Sequence, residues 1–249
     1  MNTDIIDEKN ALRRRVWERL DEAGIGRTGP VTGKIPNFTG AGEAASRLSE
    51  HPRWRGAGVV KANPDKAQHE VRTSAVNEGR LLYMAVPKIA GHDPFYLVDP
   101  ADLGGVSPDE AVTGRGAAEH APRTRPELMR SVDVILCGSV AASTDGVRIG
   151  KGAGYSDIEM ALLAHAGLVT DDTLIVTTVH DLQVLDEPIP ESGHDVSVDL
   201  IITPTRTITC PPRRRPSSIH WSTMPEEKIQ AIPALAALRS QQQGTRASS

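Results

Sequence analysis

Short, unbroken apolar runs recur along the chain with room for a helix between most of them: Gly58-Val59-Val60, Leu81-Leu82-Tyr83-Met84-Ala85-Val86, Phe95-Tyr96-Leu97-Val98, Val134-Ile135-Leu136-Cys137, Leu174–Val179 and Val198–Ile202. Runs without polar alternation read as strands buried on both faces, the habit of parallel sheets covered by helices. The intervening segments supply the helices. From Thr3 to Leu20, apolar Ile5, Ile6, Leu12, Val16, Trp17 and Leu20 fall at helical offsets behind a Thr3 N-cap, and Gly24 follows the last turn. Thr39 is placed to cap a short helix through Leu48, and further helices are expected from Lys66 to Glu78 and from Asp157 to about Ala166. Thr223, with Pro225 just inside, marks the start of a last helix to about Leu238. Residues 24–37 carry four Gly and two Pro and read as a loop, and residues 101–131 as irregular chain with short helices. The alternation predicts one α/β domain over residues 1–240, followed by a polar tail, 241–249, expected to be disordered.

Composition removes several classes of function. With 28 Lys+Arg against 32 Asp+Glu the formal charge is −4, which gives no strong pull toward nucleic acid or anionic lipid. Eight aromatic residues are too few for a base-stacking platform or a membrane belt. No run of 18 apolar residues occurs, and Met1-Asn2-Thr3-Asp4 opens onto charged chain rather than an apolar signal core. The expectation is a cytoplasmic protein whose partners are neither nucleic acid nor membrane. Cys137 and Cys210 are 73 positions apart with no CxxC partner or closely spaced His, so neither a zinc site nor a structural disulfide is expected. Cys137 lies inside an apolar run and reads as a buried thiol.

One segment carries chemistry: Arg148-Ile149-Gly150-Lys151-Gly152-Ala153-Gly154-Tyr155-Ser156-Asp157, after a strand and at the mouth of a helix. Glycines at alternate positions let backbone approach a ligand closely, the helix end offers free N–H groups to an anion, and Arg148 and Lys151 add positive charge. This has the makings of a phosphate cradle. It is not a P-loop, because no Gly-Lys-Ser/Thr closes it, and Tyr155 stands where a dinucleotide fingerprint needs its third glycine. A glycine-rich surface turn is the alternative reading of the same residues.

The run R-x-G-x-G-x-G-Y-x-D resembles the signature of the 5-formyltetrahydrofolate cyclo-ligase (methenyltetrahydrofolate synthetase) family, and other pieces fall in the matching order. Lys9-Asn10-Ala11-Leu12-Arg13 is similar to the family's N-terminal K-x-x-L-R helix, and Glu70-Val71-Arg72-Thr73 to its E-[VI]-x-T segment. Gln183, Pro190, Glu191, Asp195, Asp199 and Thr203 resemble its closing stretch, so the similarity spans roughly residues 9–205. Ser156 replaces the usual second tyrosine, Gly138-Ser139-Val140-Ala141 stands where a Pro-Gly-Val-Ala type turn is common, and Val60-Lys61-Ala62-Asn63-Pro64-Asp65 is unusual. With Arg215-Pro216, Ile219-His220-Trp221, Lys228 and Ile232-Pro233, these departures look more like the branch of methenyltetrahydrofolate-synthase-domain proteins.

The resemblance implies a three-layer α/β/α sandwich with a mostly parallel sheet, like that of sugar-phosphate isomerases and CoA transferases, and an ATP- and Mg²⁺-dependent ligase. In such a reaction a formamide oxygen attacks the γ-phosphate of ATP, a neighbouring amine captures the activated carbon, and phosphate leaves with the former formyl oxygen. Phosphoryl transfer asks the protein for positioning and charge neutralisation, which suits these residue types. By resemblance Lys9 and Arg13 reach the ATP phosphates, Arg148, Lys151, Gly150, Gly152 and Gly154 hold them, and Asp157 assists Mg²⁺. Glu70 sits at the formyl-bearing small-molecule substrate, and Tyr155 flanks its ring or formyl group.

Duller readings stand beside these. Lys9 and Arg13, at i and i+4 with Asp7 and Glu8, also fit a solvated helix face. Glu70 fits a first-turn carboxylate, Asp157 a helix cap, and Tyr155 simple packing. Lys61 is placed to project into the same cleft, while Asn63-Pro64-Asp65 is also ordinary turn chemistry. His180-Asp181 and His194-Asp195 lack a third ligand and read as surface or satisfied histidines, and Arg213-Arg214-Arg215 reads as a solvated run or a polyanion contact. Three functions remain open: closure of 5-formyltetrahydrofolate to 5,10-methenyltetrahydrofolate, cyclodehydration of another N-formyl or amide compound to a heterocycle such as an azole, and a non-catalytic nucleotide- or folate-binding module.

Overall fold

Parity along the strands organises the molecule, because successive side chains of a strand point to opposite faces of its sheet. The computed structural model describes residues 3–212, 215, 218–222 and 224–247. The chain runs α1 (Thr3–Glu22), α2 (Ala41–Ser49), α3 (Pro52–Arg55), β1 (Val59–Ala62), α4 (His69–Asn77), β2 (Leu81–Ala85), β3 (Phe95–Val98), α5 (Pro108–Ala111), α6 (Gly114–His120) and β4 (Arg123–Thr124). It continues through β5 (Val134–Cys137), β6 (Ala141–Ser143), β7 (Arg148–Ile149), α7 (Tyr155–His165), β8 (Leu174–Thr178), β9 (Val184–Leu185), β10 (Leu200–Ile202), β11 (Thr207–Thr209), α8 (Glu226–Ala231) and α9 (Pro233–Ala247).

The main sheet has eight strands in the order β11-β10-β8-β5-β1-β2-β3-β4. The five central strands are parallel; β11 at one edge and β3 near the other run against them, and β4, antiparallel to β3, closes that second edge. Val60, Ala62, Leu82, Met84, Val134, Leu136, Val176 and Ile202 face one layer, where they pack on Ala44 and Leu48 of α2, Trp54 of α3 and Val71 and Ala75 of α4. Val59, Tyr83, Ile135, Cys137, Ile175 and Ile201 face the other, against Met160 and Leu163 of α7. Three layers result. A second sheet, β7-β6-β9, carries α1, whose Leu12, Val16, Trp17 and Leu20 pack on Val140, Ala141, Ile149 and Leu185. The C-terminal helices lay Ile229, Ile232 and Leu235 on Ile89, Ile158 and Leu162.

Several expectations change in detail. Thr39 does not cap α2: Gly40, at φ 94°, occupies the cap position, and the Thr39 hydroxyl donates to Ile25 O at 3.1 Å. The segment from Lys66 opens as a 3₁₀ turn, Lys66–Gln68, before α4 begins. The single helix expected to end near Leu238 is two, because Pro233 cannot donate to the ladder and starts α9 afresh. The second of them continues to Ala247, into the segment expected to be disordered, and the Thr223 cap lies outside the described residues. Thr3 is already helical, the first described residue of α1, rather than a cap before it. The glycine segment follows β7 of the small sheet, not β5 directly, and β4, which lies in the 101–131 stretch expected to be irregular, has no counterpart among the expected strands, nor have β6, β7, β9 and β11. Among the described residues no helix is long and apolar enough to cross a membrane.

Candidate active site

The carboxyl ends of β1, β2 and β5 deliver Asn63-Pro64-Asp65, Val86-Pro87-Lys88 and Gly138 to one side of a cleft of about 1410 Å³. Ligands in open α/β sheets gather at this edge. The opposite walls come from α1, the glycine segment, residues 191–195 and the C-terminal segment.

The four cations singled out in the sequence, Lys9, Arg13, Arg148 and Lys151, all line this cleft, together with Lys88, Arg215 and Lys228. Lys9 Nζ donates to Ser192 Oγ at 3.2 Å and pairs with Asp195. Arg13, one turn on, donates from Nε to Gly150 O at 2.7 Å and from Nη1 to Asn10 Oδ1 at 2.7 Å. The bond to Gly150 ties α1 to the glycine segment, while that to Asn10 stays within the helix. Arg148 is buried on β7, where Nη1 donates to Gly138 O at 3.0 Å and Nη2 to Asp157 Oδ1 at 2.8 Å. Lys151 stands at the rim, half-exposed, with Nζ 3.8 Å from Asp65 Oδ1. Two of the three glycines need their lack of a Cβ. Gly152 has φ +97° and lies against the Arg13 guanidinium, and Gly154, at φ +71°, caps α7 in a conformation that L side chains rarely adopt.

Tyr155 opens α7 at the cleft wall, and Lys228 of α8 lies 3.8 Å from its ring centroid while donating to Ala153 O at 3.1 Å. Asp157 keeps one carboxylate oxygen clear of Arg148. Glu70 is not brought to the cleft: it sits in the first turn of α4 and accepts from Arg27 Nη1 at 2.7 Å, because the long 24–37 loop delivers Arg27 there. His180 is a cap, with Nδ1 accepting from Leu182 N–H, and His194 lines the cleft. Among the described residues no group of three or more His, Cys, Asp or Glu is positioned to hold a metal ion.

The floor of the cleft holds Glu159, a residue that the sequence does not single out. Lys61 does not reach the cleft surface; its buried ammonium pairs with Glu159, which does line it, and Asn63 Nδ2 donates to the same carboxylate at 2.8 Å. Burial pushes the Glu159 carboxyl up, against the pull of Lys61. The available signal was a lone carboxylate among Ile158, Met160, Ala161 and Leu162. Arg72, lowered by burial to about 10, fastens the Asn63-Pro64-Asp65 turn by donating to Asn63 O at 2.7 Å and Asp65 O at 2.8 Å.

Burial also pushes the Asp65 carboxyl up, opposed by Lys151, Arg72, Lys61 and Arg148. A carboxyl raised on folding contributes stability that is fully present below its unfolded pKa and is lost as pH rises through its folded one. Asp65→Asn, which cannot ionise, is therefore expected to raise the melting temperature at neutral pH, with the gain shrinking as pH falls into the carboxylate range. Thermal scans of both proteins across that range check this, and no gain at neutral pH would mean that the four cations fully offset the burial.

A glycine turn and a ring of cations at the carboxyl edge of a parallel sheet form an arrangement suited to a phosphate-bearing ligand. Residues 5–204 match the 5-formyltetrahydrofolate cyclo-ligase family. The chain is 36% identical over 240 residues to the methenyltetrahydrofolate synthase domain-containing protein of Mus musculus, covering 93% of this chain and 63% of that one. It thus spans less than two thirds of that relative's length. A 5-formyltetrahydrofolate cyclo-ligase of Mycolicibacterium smegmatis is 33% identical over 122 residues, 48% of this chain and 59% of its own. The NMR structure of Aquifex aeolicus 5,10-methenyltetrahydrofolate synthetase shares the fold, with a TM-score of 0.53 at 21% identity over 87% of this chain and 99% of that one. The chain belongs to the 5-formyltetrahydrofolate cyclo-ligase family.

Proposed function

We propose that the chain catalyses the ATP-dependent closure of 5-formyltetrahydrofolate to 5,10-methenyltetrahydrofolate. The observation that carries this reading is the convergence of Lys9, Arg13, Arg148 and Lys151 on one glycine turn at the start of α7. The residues fit a triphosphate: Gly152 and Gly154 leave the turn without side chains, and each cation is steadied by a bond to the loop or to a carboxylate. ATP supplies the phosphoryl group that makes the formyl oxygen a leaving group. Mg²⁺ binds proteins through one or two carboxylates plus substrate phosphates, and Asp157, with an oxygen clear of Arg148, fits that manner of binding.

Within this reading Lys9 and Lys151 neutralise phosphate charge from opposite walls, and Arg13 holds the glycine turn in shape through Gly150 O. Arg148 orients Asp157. Tyr155, its ring covered on one side by Lys228, bounds the space for the formyl-bearing ring. Glu70, paired with Arg27 outside the cleft lining, is given no role in this reading. Neither the cyclodehydration of another amide nor a non-catalytic binding role finds support among the relatives.

The test mixes the purified protein with 5-formyltetrahydrofolate, ATP and Mg²⁺ and follows the near-ultraviolet absorbance of the methenyl product together with phosphate release. Absorbance and phosphate should rise together and need all three components. Lys151→Ala removes a half-exposed charge with a long ion pair, so the fold stays intact while KM for ATP rises about tenfold or more, the worth of one charge-assisted contact. Phosphate release without the product chromophore would overturn the folate reading.

A further inference from the structure

Glu159 is 4% exposed, sits in an apolar stretch of α7, and yet lines the cleft. Its two hydrogen-bond partners, Lys61 Nζ and Asn63 Nδ2, both meet one oxygen, Oε2. No described residue donates to Oε1. Asn63 repeats the pattern: 5% exposed and lining the cleft, it spends Nδ2 on Glu159 and leaves Oδ1 buried without a partner. Ser156, three residues before Glu159 and so on the same helical face, has a buried, unpartnered hydroxyl in the same wall. Buried polar atoms are costly to leave unpaired, and unpaired atoms gathered on one wall call for a partner from outside the chain.

The character of that partner follows from the atoms. Oδ1 of an asparagine can only accept, and the lysine-paired carboxylate presents a second acceptor beside it. We propose that Glu159 Oε1 and Asn63 Oδ1 form a subsite for an N–H-rich, amidine-like edge of the substrate, such as a 2-amino-4-oxopyrimidine ring presents, with Ser156 Oγ closing the contact. The proposal rests on the cleft being the substrate site, and the pterin ring of the folate proposed above carries such an edge. Lys61 is a positioning residue: it holds Oε2 from behind so that Oε1 faces the cleft. Arg72 does the same for Asn63 by fixing its backbone carbonyl.

The test uses two neutral probes of equal size, 2-aminopyrimidin-4-one and uracil, in which an oxo acceptor replaces the amino donor. Each is titrated into the full chain without ATP and followed by ligand-observed NMR. The wild type is expected to favour the aminopyrimidinone by about tenfold or more, because uracil sets an acceptor against buried acceptors. Glu159→Gln should erase the preference. Asn63→Leu leaves the Lys61–Glu159 pair in place and should reduce the preference about three- to tenfold, so it carries the test if Glu159→Gln fails to fold. Equal binding of the two probes by the wild type, no binding of either, or a preference that survives both substitutions would overturn the subsite. It fails separately from the reaction: methenyl product without a probe preference removes only the subsite, and a probe preference lost in the variants without methenyl product removes only the folate reaction.

Discussion

Lys61→Met is expected to cost about 3–5 kcal/mol of folding stability in a denaturant titration, a large fraction of what holds a domain of this size together. The side chains of Lys61 and Glu159 are 2% and 5% exposed, so deleting the ammonium strands a carboxylate where water cannot compensate it. The carboxyl is already pushed up by burial with the lysine present. Removing both charges in Lys61→Met/Glu159→Leu should recover most of the loss, since an apolar pair of similar volume is often as stable as a buried ion pair. A non-additive cycle is therefore the expected outcome. If Lys61→Met alone lies within about 1 kcal/mol of the wild type, the pair is solvated in solution and the floor of the cleft is wetter than described.

Arg148→Ala is expected to lower ATP-dependent turnover by about a hundredfold or more, with about 2–4 kcal/mol lost from stability. The guanidinium links three stretches of chain: its own strand β7, the Gly138 carbonyl after β5, and Asp157 in the first turn of α7. Without it Gly138 O loses its donor and Asp157 its partner, at the point where the glycine turn meets the helix. Arg148→Lys should not restore activity, because one ammonium cannot span two acceptors held in a fork. Steady-state kinetics beside circular dichroism separates the two effects. Near-normal turnover in Arg148→Lys would show that charge alone, and not the bridging geometry, is what the site requires.

Much of the fold was legible because parallel strands buried on both faces write themselves as apolar runs: those from Leu81, Val134 and Leu174 are such strands, and the run from Phe95 is the antiparallel β3. The small sheet was not, since its strands are two or three residues long and β6 pairs with β9 some forty positions away. The glycine turn was legible through the backbone freedom it requires. The roles of Lys9 and Arg13 came from resemblance, since charge on a helix face says nothing about what lies opposite it. Glu70 was read as a site residue, but the sequence carries no sign that Arg27 crosses from a loop to meet it. Lys61 was expected at the cleft and proves to stand one residue behind it. Glu159 escaped notice because a helix with apolar residues around most of its circumference hides which side faces a cavity.

The match to the family ends at residue 204, yet the wall that includes Lys228 begins after it. Ile229, Ile232 and Leu235 anchor that wall on the outer surface of α7 rather than on the sheet. The part of the chain after β11 that bounds the mouth of the cleft thus meets the rest through α7, the glycine segment and Arg215 rather than through strand pairing. Exchange of the segment after β11 between relatives would alter which molecules gain entry while the strands of the main sheet keep their register, so admission to the cleft and chemistry within it are free to diverge at different rates.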